Sequence, residues 1–341
     1  LRILAKIGAG IVGLGWPGIQ HLKGYQACGE ADVLAVCDIN EELLKRVSKE
    51  YGIQKTYRDY KRMLKDEAIQ VVSVCLPNYL HHPVTIDCLK AGRHVICEKP
   101  PALNAEQARE MAATAKAEGR ILMYALMQRF NAESSFLKGI IESGELGDVY
   151  FAEAAYVRRR GIPIGSGGWF VDKARSGGGA LIDIGVHALD LAWWLMGNPK
   201  PSAVSASTYA KFSSAVPKDV KYDVEDAAFA FLRFQNGTSM ILKAAWALNL
   251  KVGSYTHIAG TRGGASMPPL VIYYERDGVQ MDLSPQLPQV NAFDREIAHF
   301  IECVKRGEKP IPSAEQGITL MEMLDAIYTS SSSGKEVLIP S

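Results

Sequence analysis

The sequence predicts an α/β protein in two parts. Residues 1–126 read as a doubly wound parallel sheet of the Rossmann type, and residues 127–341 as an α+β domain built on a large, mostly antiparallel open sheet. Three observations lead there. Short apolar runs alternate with amphipathic stretches through the first third of the chain, the pattern of strands buried on both faces with helices between them. The first such run leads directly into a G-x-G-x-x-G turn, Gly8–Gly13. Past Met127 the alternation gives way to consecutive strand-like segments separated by turn signals.

Composition sets the outer limits. A chain of 341 residues can bury two cores. Hydrophobic residues at 48% and charged residues at 22% fit a soluble globular protein. A formal net charge of +1 supplies no global field for nucleic acid or an anionic membrane, and no nucleic-acid motif is present. No apolar run reaches the length of a membrane span, and the N-terminus shows no basic region followed by an apolar signal core. The expected compartment is the cytoplasm. Cys28, Cys37, Cys75, Cys88, Cys97 and Cys303 are dispersed with no C-x-x-C, which favours reduced, buried thiols over disulfides. His81-His82 lacks a third ligand at a usable spacing, so no metal is expected.

The elements follow in order. The first strand is expected at Ile3–Ile7, with Gly8-Ala9-Gly10-Ile11-Val12-Gly13 as the turn after it. There the first glycine permits a tight turn, the second lets a pyrophosphate approach the backbone, and the third lets the next helix pack on the sheet. The N–H groups of that helix would face the phosphates. Gly15-Trp16-Pro17-Gly18 then reads as a lengthened or interrupted start to the helix. Val33–Cys37 is a buried strand ending at Asp38. That carboxylate can accept hydrogen bonds from a ribose and would repel a 2′-phosphate, favouring NAD over NADP; alternatively it caps the helix Glu41–Tyr51. A short helix over Tyr57–Lys65 precedes the strand Ile69–Leu76, which ends at Pro77-Asn78. Helix Val84–Ala91, strand His94–Cys97, helix Ala105–Glu118 and strand Ile121–Tyr124 complete the first domain. The turn residues, Asp38, Asn78, His81, Glu98 and Lys99 each stand just after a strand, where doubly wound sheets bind ligands.

In the second part, helix Ala132–Ser143 leads to strand Val149–Arg158 and a long basic, Gly-rich loop, Arg158–Phe170. Helix Ala180–Met196 follows, with Gly177-Gly178-Gly179 before it. Strands are expected at Ala203–Lys211, Asp226–Phe234, Thr238–Trp246, Tyr255–Gly260, Leu270–Tyr274 and Val279–Leu283, then helices Asn291–Arg306 and Ser313–Ser331 and an extended Lys335–Ile339. Asp183 and His187, four apart on a helix, share a face. A carboxylate beside an imidazole suits a general base, though an ordinary structural pair has the same spacing. Lys99 can hydrogen-bond a substrate hydroxyl and favour an alkoxide, or be a solvated surface lysine. The glycines would let a ligand or the other domain come close. Gln128, Arg129 and Asn131 follow the last parallel strand and should face a cleft, Arg129 doing so or serving in an ion pair. Tyr156, Arg158 and Trp169 could read a substrate's hydroxyls, carboxylate or sugar face.

Taken together, Gly8-x-Gly10-x-x-Gly13, Pro77-Asn78-x-x-His81, Glu98-Lys99-Pro100, Gly177-Gly178-Gly179, Asp183-x-x-x-His187 and the tail from Arg306-Gly307-Glu308-Lys309-Pro310 to Gly334 resemble the glucose–fructose oxidoreductase / inositol dehydrogenase (Gfo/Idh/MocA) family. The resemblance implies an NAD(P)-dependent oxidoreductase acting on a secondary alcohol of a sugar, inositol or related polyol, with Lys99 and His187 as catalytic pair and Asp183 in support. It implies cofactor contacts from Gly8, Gly10, Ile11, Val12, Gly13, Asp38, Pro77, Asn78, His81, Glu98 and Lys99. Substrate contacts would come from Gln128, Asn131, Tyr156, Arg158, Trp169, Asp183 and His187. It also implies a homodimer or homotetramer through the open sheet. The alternatives within the same resemblance are a glycosidase using NAD for transient oxidation and a non-catalytic sugar sensor. The extra segment Gly15–Gly18 is the one departure from the pattern.

Overall fold

The structure, a computed structural model, describes residues 6–250 and 253–340. The expected first strand over Ile3–Ile7 falls mostly outside the described residues. The chain forms two compact units, residues 1–127 with 291–318, and residues 128–290 with 319–341.

The first unit carries six strands: β1 (Ile7–Val12), β2 (Ala31–Cys37), β3 (Lys55–Tyr57), β4 (Val71–Val74), β5 (His94–Glu98) and β6 (Leu122–Ala125). All neighbours pair in parallel, in the order β3-β2-β1-β4-β5-β6. The order reverses between β1 and β4, the switch point at which such sheets bind ligands. Every residue of β1 and β4 is buried, which explains why these strands read as apolar runs rather than alternating ones. The helices are α1 (Trp16–Cys28), α2 (Glu41–Tyr51), α3 (Tyr60–Met63), α4 (His81–Lys90) and α5 (Ala105–Ala117). The helix expected from Tyr57 starts three residues later, because Lys55–Tyr57 adds an edge strand to β2. That strand is exposed and short, and too polar to show as an apolar run.

In the second unit α6 (Ala132–Glu142), β7 (Val149–Val157), α7 (Lys173–Ser176) and α8 (Val186–Leu195) precede a run of strands. These are β8 (Pro201–Tyr209), β9 (Ala227–Phe234), β10 (Ser239–Ala245), β11 (Tyr255–Gly260), β12 (Gly263–Met267), β13 (Val271–Arg276) and β14 (Val279–Leu283); β15 (Val337–Leu338) pairs with β8. The nine strands lie in the order β14-β13-β12-β11-β7-β10-β9-β8-β15. All neighbours are antiparallel except β7 and β10. The sequence reading missed β12, whose Gly263-Gly264-Ala265-Ser266 carries no strand propensity; it is held by register with β11 and β13.

The two last helices, α9 (Ala292–Arg306) and α10 (Ala314–Ser333), correct the expected division. Residues 291–318 pack with the first unit, not the second, and the division falls inside α10. The physical reason lies on α1. A Cβ at Gly24 would stand 2.8 Å from Ile297 Cγ1, and Trp16 meets Phe293 edge-on at 5.4 Å between ring centroids. The buried stripe of α9 (Phe293, Ile297, Phe300, Ile301) is an apolar face that closes on α1.

Candidate active site

The glycine turn lies five residues later than the sequence reading places it. Gly8 and Gly10 are inside β1, where Ile11 and Val12 are buried as well. A Cβ at Gly8 would meet Ala68 O at 2.0 Å, and one at Gly10 would meet Met63 Cε at 3.0 Å. These glycines serve sheet packing, and Gly8, Gly10 and Ile11 do not form the turn. The chain turns at Gly13-Leu14-Gly15-Trp16-Pro17-Gly18, which repeats the G-x-G-x-x-G spacing and shares Gly13 with the first frame. Gly13 has φ +92° and lies against Cys75 O. A Cβ at Gly18 would meet Gly13 O at 2.0 Å. Between them Gly15 is exposed, caps α1 with extended backbone, and a Cβ there would find only Pro17 Cδ at 3.8 Å. Tight glycines on either side of an open one, at a 13-residue helix with no side-chain cap, fit a dinucleotide pyrophosphate approaching the backbone. Pro17 sits in the first turn of α1 and does not break it. That proline was the sequence signal for the helix start, and the expected interruption and departure both disappear. Asp38 follows Gly18 by about 20 residues, the usual separation.

Asp38 ties the turn together. Its Oδ2 accepts from Leu14 N–H at 2.8 Å and its Oδ1 from Asn40 N–H at 2.9 Å. Asn40, not Asp38, caps α2. The carboxylate keeps lone pairs for two ribose hydroxyls.

Behind the turn lies a buried network that the sequence reading did not foresee. His21, one turn beyond Gly18 on α1, places Nδ1 at 3.0 Å from Ser73 Oγ and Nε2 at 3.2 Å from Glu98 Oε1. Tyr25 OH reaches the same Ser73 oxygen at 2.9 Å. Glu98 Oε2 accepts from Lys99 N–H at 3.1 Å. Burial, the largest influence on Glu98, opposes its ionisation. The His21 hydrogen bond and the charges of His21, Lys99 and His81 outweigh burial and hold the carboxyl below its ordinary range. Glu98 therefore braces the Lys99 turn from beneath. His81 is fully buried, with Nδ1 at 2.8 Å from Pro100 O and Nε2 at 2.7 Å from Leu76 O. Each ring nitrogen faces a main-chain oxygen between the ends of β4 and β5, and burial, which lowers its pKa, favours the neutral ring that donates to one of the two. Pro77 and the buried Asn78 open the 3-10 turn above it. Lys99 is half-buried at the carboxyl end of β5, before a cis Pro100.

In the second unit, Asp183 lies in a π-turn, Leu181–Gly185, and His187 in the first turn of α8. The expected single helix from Ala180 thus begins with a wider turn, a frequent feature of functional sites. The indole N–H of the fully buried Trp246 donates to Asp183 Oδ2 at 2.9 Å. The three glycines before the π-turn serve their own unit. Gly177 ends α7 with φ +86°. A Cβ at Gly178 would meet Tyr328 OH at 1.9 Å, and one at Gly179 would meet Glu225 O at 1.8 Å. No space is left there for the ligand or other domain that the sequence suggested. Glu225, unremarked in the sequence, accepts from Gly179 N–H, Leu181 N–H and Tyr328 OH at 2.8–3.0 Å; burial raises its pKa.

His187 borders a cavity of about 650 Å³ that Gln128, Asn131 and Tyr156 also line. The Tyr156 and His187 rings are 6.4 Å apart. Asn131 Nδ2 donates to Gln128 Oε1 at 2.6 Å, leaving the Gln128 amide hydrogens and Asn131 Oδ1 for a hydroxyl pair. Arg129 is buried and forms a two-pronged ion pair with Asp190, at 2.9 and 2.6 Å. It therefore serves the ion-pair role left open in the sequence, and it pins the Gln128–Asn131 turn to α8 one turn beyond His187. Arg158 stacks its guanidinium on Tyr156 at 5.4 Å, while Trp169 stacks on Phe170 at 3.8 Å; neither lines this cavity. Tyr255 and the segment Pro285–Val290, which do line it, had no motif to mark them.

A parallel sheet in the order 3-2-1-4-5-6 with a glycine turn at its switch point is the architecture of a dinucleotide-binding protein. Comparison with known proteins narrows this. Residues 7–126 match the oxidoreductase family with an NAD-binding Rossmann fold, Gfo/Idh/MocA, and residues 135–266 match the C-terminal domain of the same family. The chain is 34% identical over 329 residues to D-glucoside 3-dehydrogenase of Escherichia coli, covering 93% of each chain. It is 26% identical to myo-inositol 2-dehydrogenase of Thermotoga maritima, covering 90% of this chain and 91% of that one. Among solved structures, aldose-aldose oxidoreductase from Caulobacter crescentus superposes with a TM-score of 0.86 at 27% identity over 98% of this chain and 99% of that one. Levoglucosan dehydrogenase in complex with NADH and levoglucosan, at 23% identity, has the same fold (TM-score 0.90, 98% and 100% covered). The protein belongs to the Gfo/Idh/MocA family of NAD-binding oxidoreductases.

Proposed function

We propose that the protein is an NAD-dependent dehydrogenase that oxidises a secondary alcohol of a sugar, inositol or related cyclic polyol. The observation that carries this reading is the second unit's cavity, where His187 shares a wall with the Gln128–Asn131 amide pair. An imidazole can take a proton, and paired amides recognise vicinal hydroxyls. The sugar- and inositol-acting relatives point to the same substrate class.

The cofactor fits this chain at Gly13, Gly15 and Gly18, with Asp38 on the adenosine ribose and Pro77, Asn78 and Glu98 toward the nicotinamide end. NAD, when bound, supplies the hydride acceptor. Lys99 hydrogen-bonds the reacting hydroxyl, and its ammonium lowers the cost of negative charge on that oxygen. His187 takes the proton. Asp183, its carboxylate fixed by Trp246, orients this wall and stabilises the imidazolium. Tyr156 packs along the substrate, and Arg158, stacked on Tyr156, holds that ring in place.

The working form is proposed to be a cytoplasmic homodimer or homotetramer. Its contact is the sheet face on which Glu153, Ile241, Phe231 and Ser205 form one cross-strand row, a row that mixes apolar and polar groups as subunit contacts do.

A panel of inositols, aldoses and glycosides with NAD and NADP, followed at the reduced-nicotinamide absorbance, tests the reading. Lys99→Ala and His187→Ala are each expected to lower kcat by roughly 10²–10⁴-fold. Undiminished turnover in both variants would refute the mechanism. A preference for NADP would refute the role of Asp38.

A further inference from the structure

Four buried side chains from three elements meet beneath Lys99. Tyr25 and His21 come from α1, Ser73 from β4 and Glu98 from the end of β5. Their contacts, at 2.9, 3.0 and 3.2 Å, form one chain from the Tyr25 hydroxyl through Ser73 Oγ and the His21 ring to Glu98 Oε1. The other carboxylate oxygen, Oε2, accepts from Lys99 N–H at 3.1 Å.

The carboxylate fixes the direction of this chain. An ionised carboxylate only accepts, so the imidazole presents Nε2–H to it whatever its second nitrogen does. Nδ1 then either accepts from the Ser73 hydroxyl or donates to its oxygen, which also accepts from Tyr25. Both arrangements leave Glu98 held by the same two donors, one from His21 and one from Lys99. Phe293 of α9 closes on the imidazole with 6.3 Å between ring centroids. His21 and Ser73 are fully buried, so a lost donor is not made good from bulk water. The charges of Lys99 and of His81 on α4 also act on Glu98, while burial holds the thiols of Cys75 and Cys97 beside it in their neutral form. At the far end, Cys75, Cys28 and Glu296 of α9 act on Tyr25.

We propose that His21 is a positioning residue for Lys99, acting through Glu98: the imidazole donor holds the carboxylate where it receives the Lys99 main-chain N–H and sets a negative charge near the ammonium. The proposal rests on Lys99 acting on the reacting hydroxyl, as set out above. Without the His21 donor the buried carboxylate takes up a proton or turns away. Lys99 then loses both its main-chain anchor and a neighbouring charge.

The test reads Lys99 directly in the full-length protein. Trace acetylation with acetic anhydride, followed by peptide mass spectrometry, gives the rate at which the Lys99 amine reacts at each pH, with exposed Lys49 of α2 as internal standard. His21→Asn keeps a polar group toward Ser73 but is too short to reach Glu98, whereas His21→Gln restores a donor near the position of Nε2. The amine reacts only when unprotonated, so loss of the carboxylate charge should raise the Lys99 rate at pH 8 roughly tenfold in His21→Asn. His21→Gln should return most of that change. With NAD and the sugar panel above, His21→Asn should lower kcat rather than raise KM for the sugar. If His21→Asn does not fold, Ser73→Ala, which strips the support behind the ring, carries the same expectation at smaller size. A faster Lys99 in His21→Asn, with no member of the panel oxidised by wild type, supports the positioning role while the dehydrogenase reading falls. Wild-type turnover that His21→Asn leaves intact, with an unchanged Lys99 rate, overturns the positioning role and leaves the dehydrogenase reading standing. A lower Tm as the only change, or a His21→Gln no better than His21→Asn, makes His21 a structural residue and also overturns it.

Discussion

At the scale of single residues, three glycines of one turn differ in what surrounds them, and the difference predicts separable effects. Gly18→Ala places a methyl 2.0 Å from a main-chain oxygen that cannot step aside, so the first unit should lose about 1–3 kcal/mol of stability. Gly15→Ala meets no protein atom closer than 3.8 Å, so its Tm should match wild type while its Kd for NADH rises roughly tenfold or more, about 1.4 kcal/mol. Thermal melts and a fluorescence titration with NADH separate the two. A lower Tm for Gly15→Ala with unchanged affinity would remove the pyrophosphate from this turn. The same accounting explains Arg129 and Asp190. Their charges are buried together, so neither is available to a ligand.

At the scale of elements, strand ends are held by side chains that themselves titrate. His94 opens β5, and its Nδ1 accepts from Ile121 N–H at 3.0 Å beside the start of β6. Burial, reinforced by the Arg120 charge, lowers its pKa from 6.5 to about 4. The folded protein keeps this ring neutral while the unfolded chain protonates it near 6.5. Between those values the unfolded state binds more protons, so stability from this group is full above 6.5 and is lost as the pH falls toward 4. Thermal melts from pH 7.5 to 4 should show a decline that His94→Asn, which retains an acceptor but no titration, makes shallower. An identical decline in the variant would assign it to other groups. The π-turn before α8 shows the same economy, since one buried carboxylate, Glu225, accepts from Leu181 N–H at its start and from Gly179 N–H just before it.

At the scale of the whole molecule, the chain leaves the first unit at Met127 and returns to it at Asn291. The return supplies α9, whose apolar face covers Gly24 and Trp16 on α1. Residues 1–127 alone should therefore lack a cover for α1. Joining 291–318 through a flexible linker should restore it. Cooperative unfolding and NADH binding are expected of the joined chain and not of 1–127 by itself. Equal behaviour of both would make α9 dispensable to the first unit.

The sequence by itself determined the fold class, because apolar runs and their spacing report burial directly, and it marked Asp38, Lys99, Asp183 and His187 because rare chemistry stood at strand ends or at helical spacing. It could not choose between two overlapping glycine frames. Both satisfied G-x-G-x-x-G, and only the pairing of Ile7–Val12 between β2 and β4 decides where the strand stops and the turn begins. Nor could it see that His81 lies between two main-chain oxygens, that Gly178 and Gly179 are filled by Tyr328 and Glu225, or that His21 lies under Glu98. All but the His81–Leu76 contact join residues far apart in the chain, and local pattern carries no record of them. The catalytic candidates were legible in the sequence, and the tertiary structure alone decided what holds each of them within its own unit: Glu98 beneath the Lys99 turn, and Trp246 against Asp183.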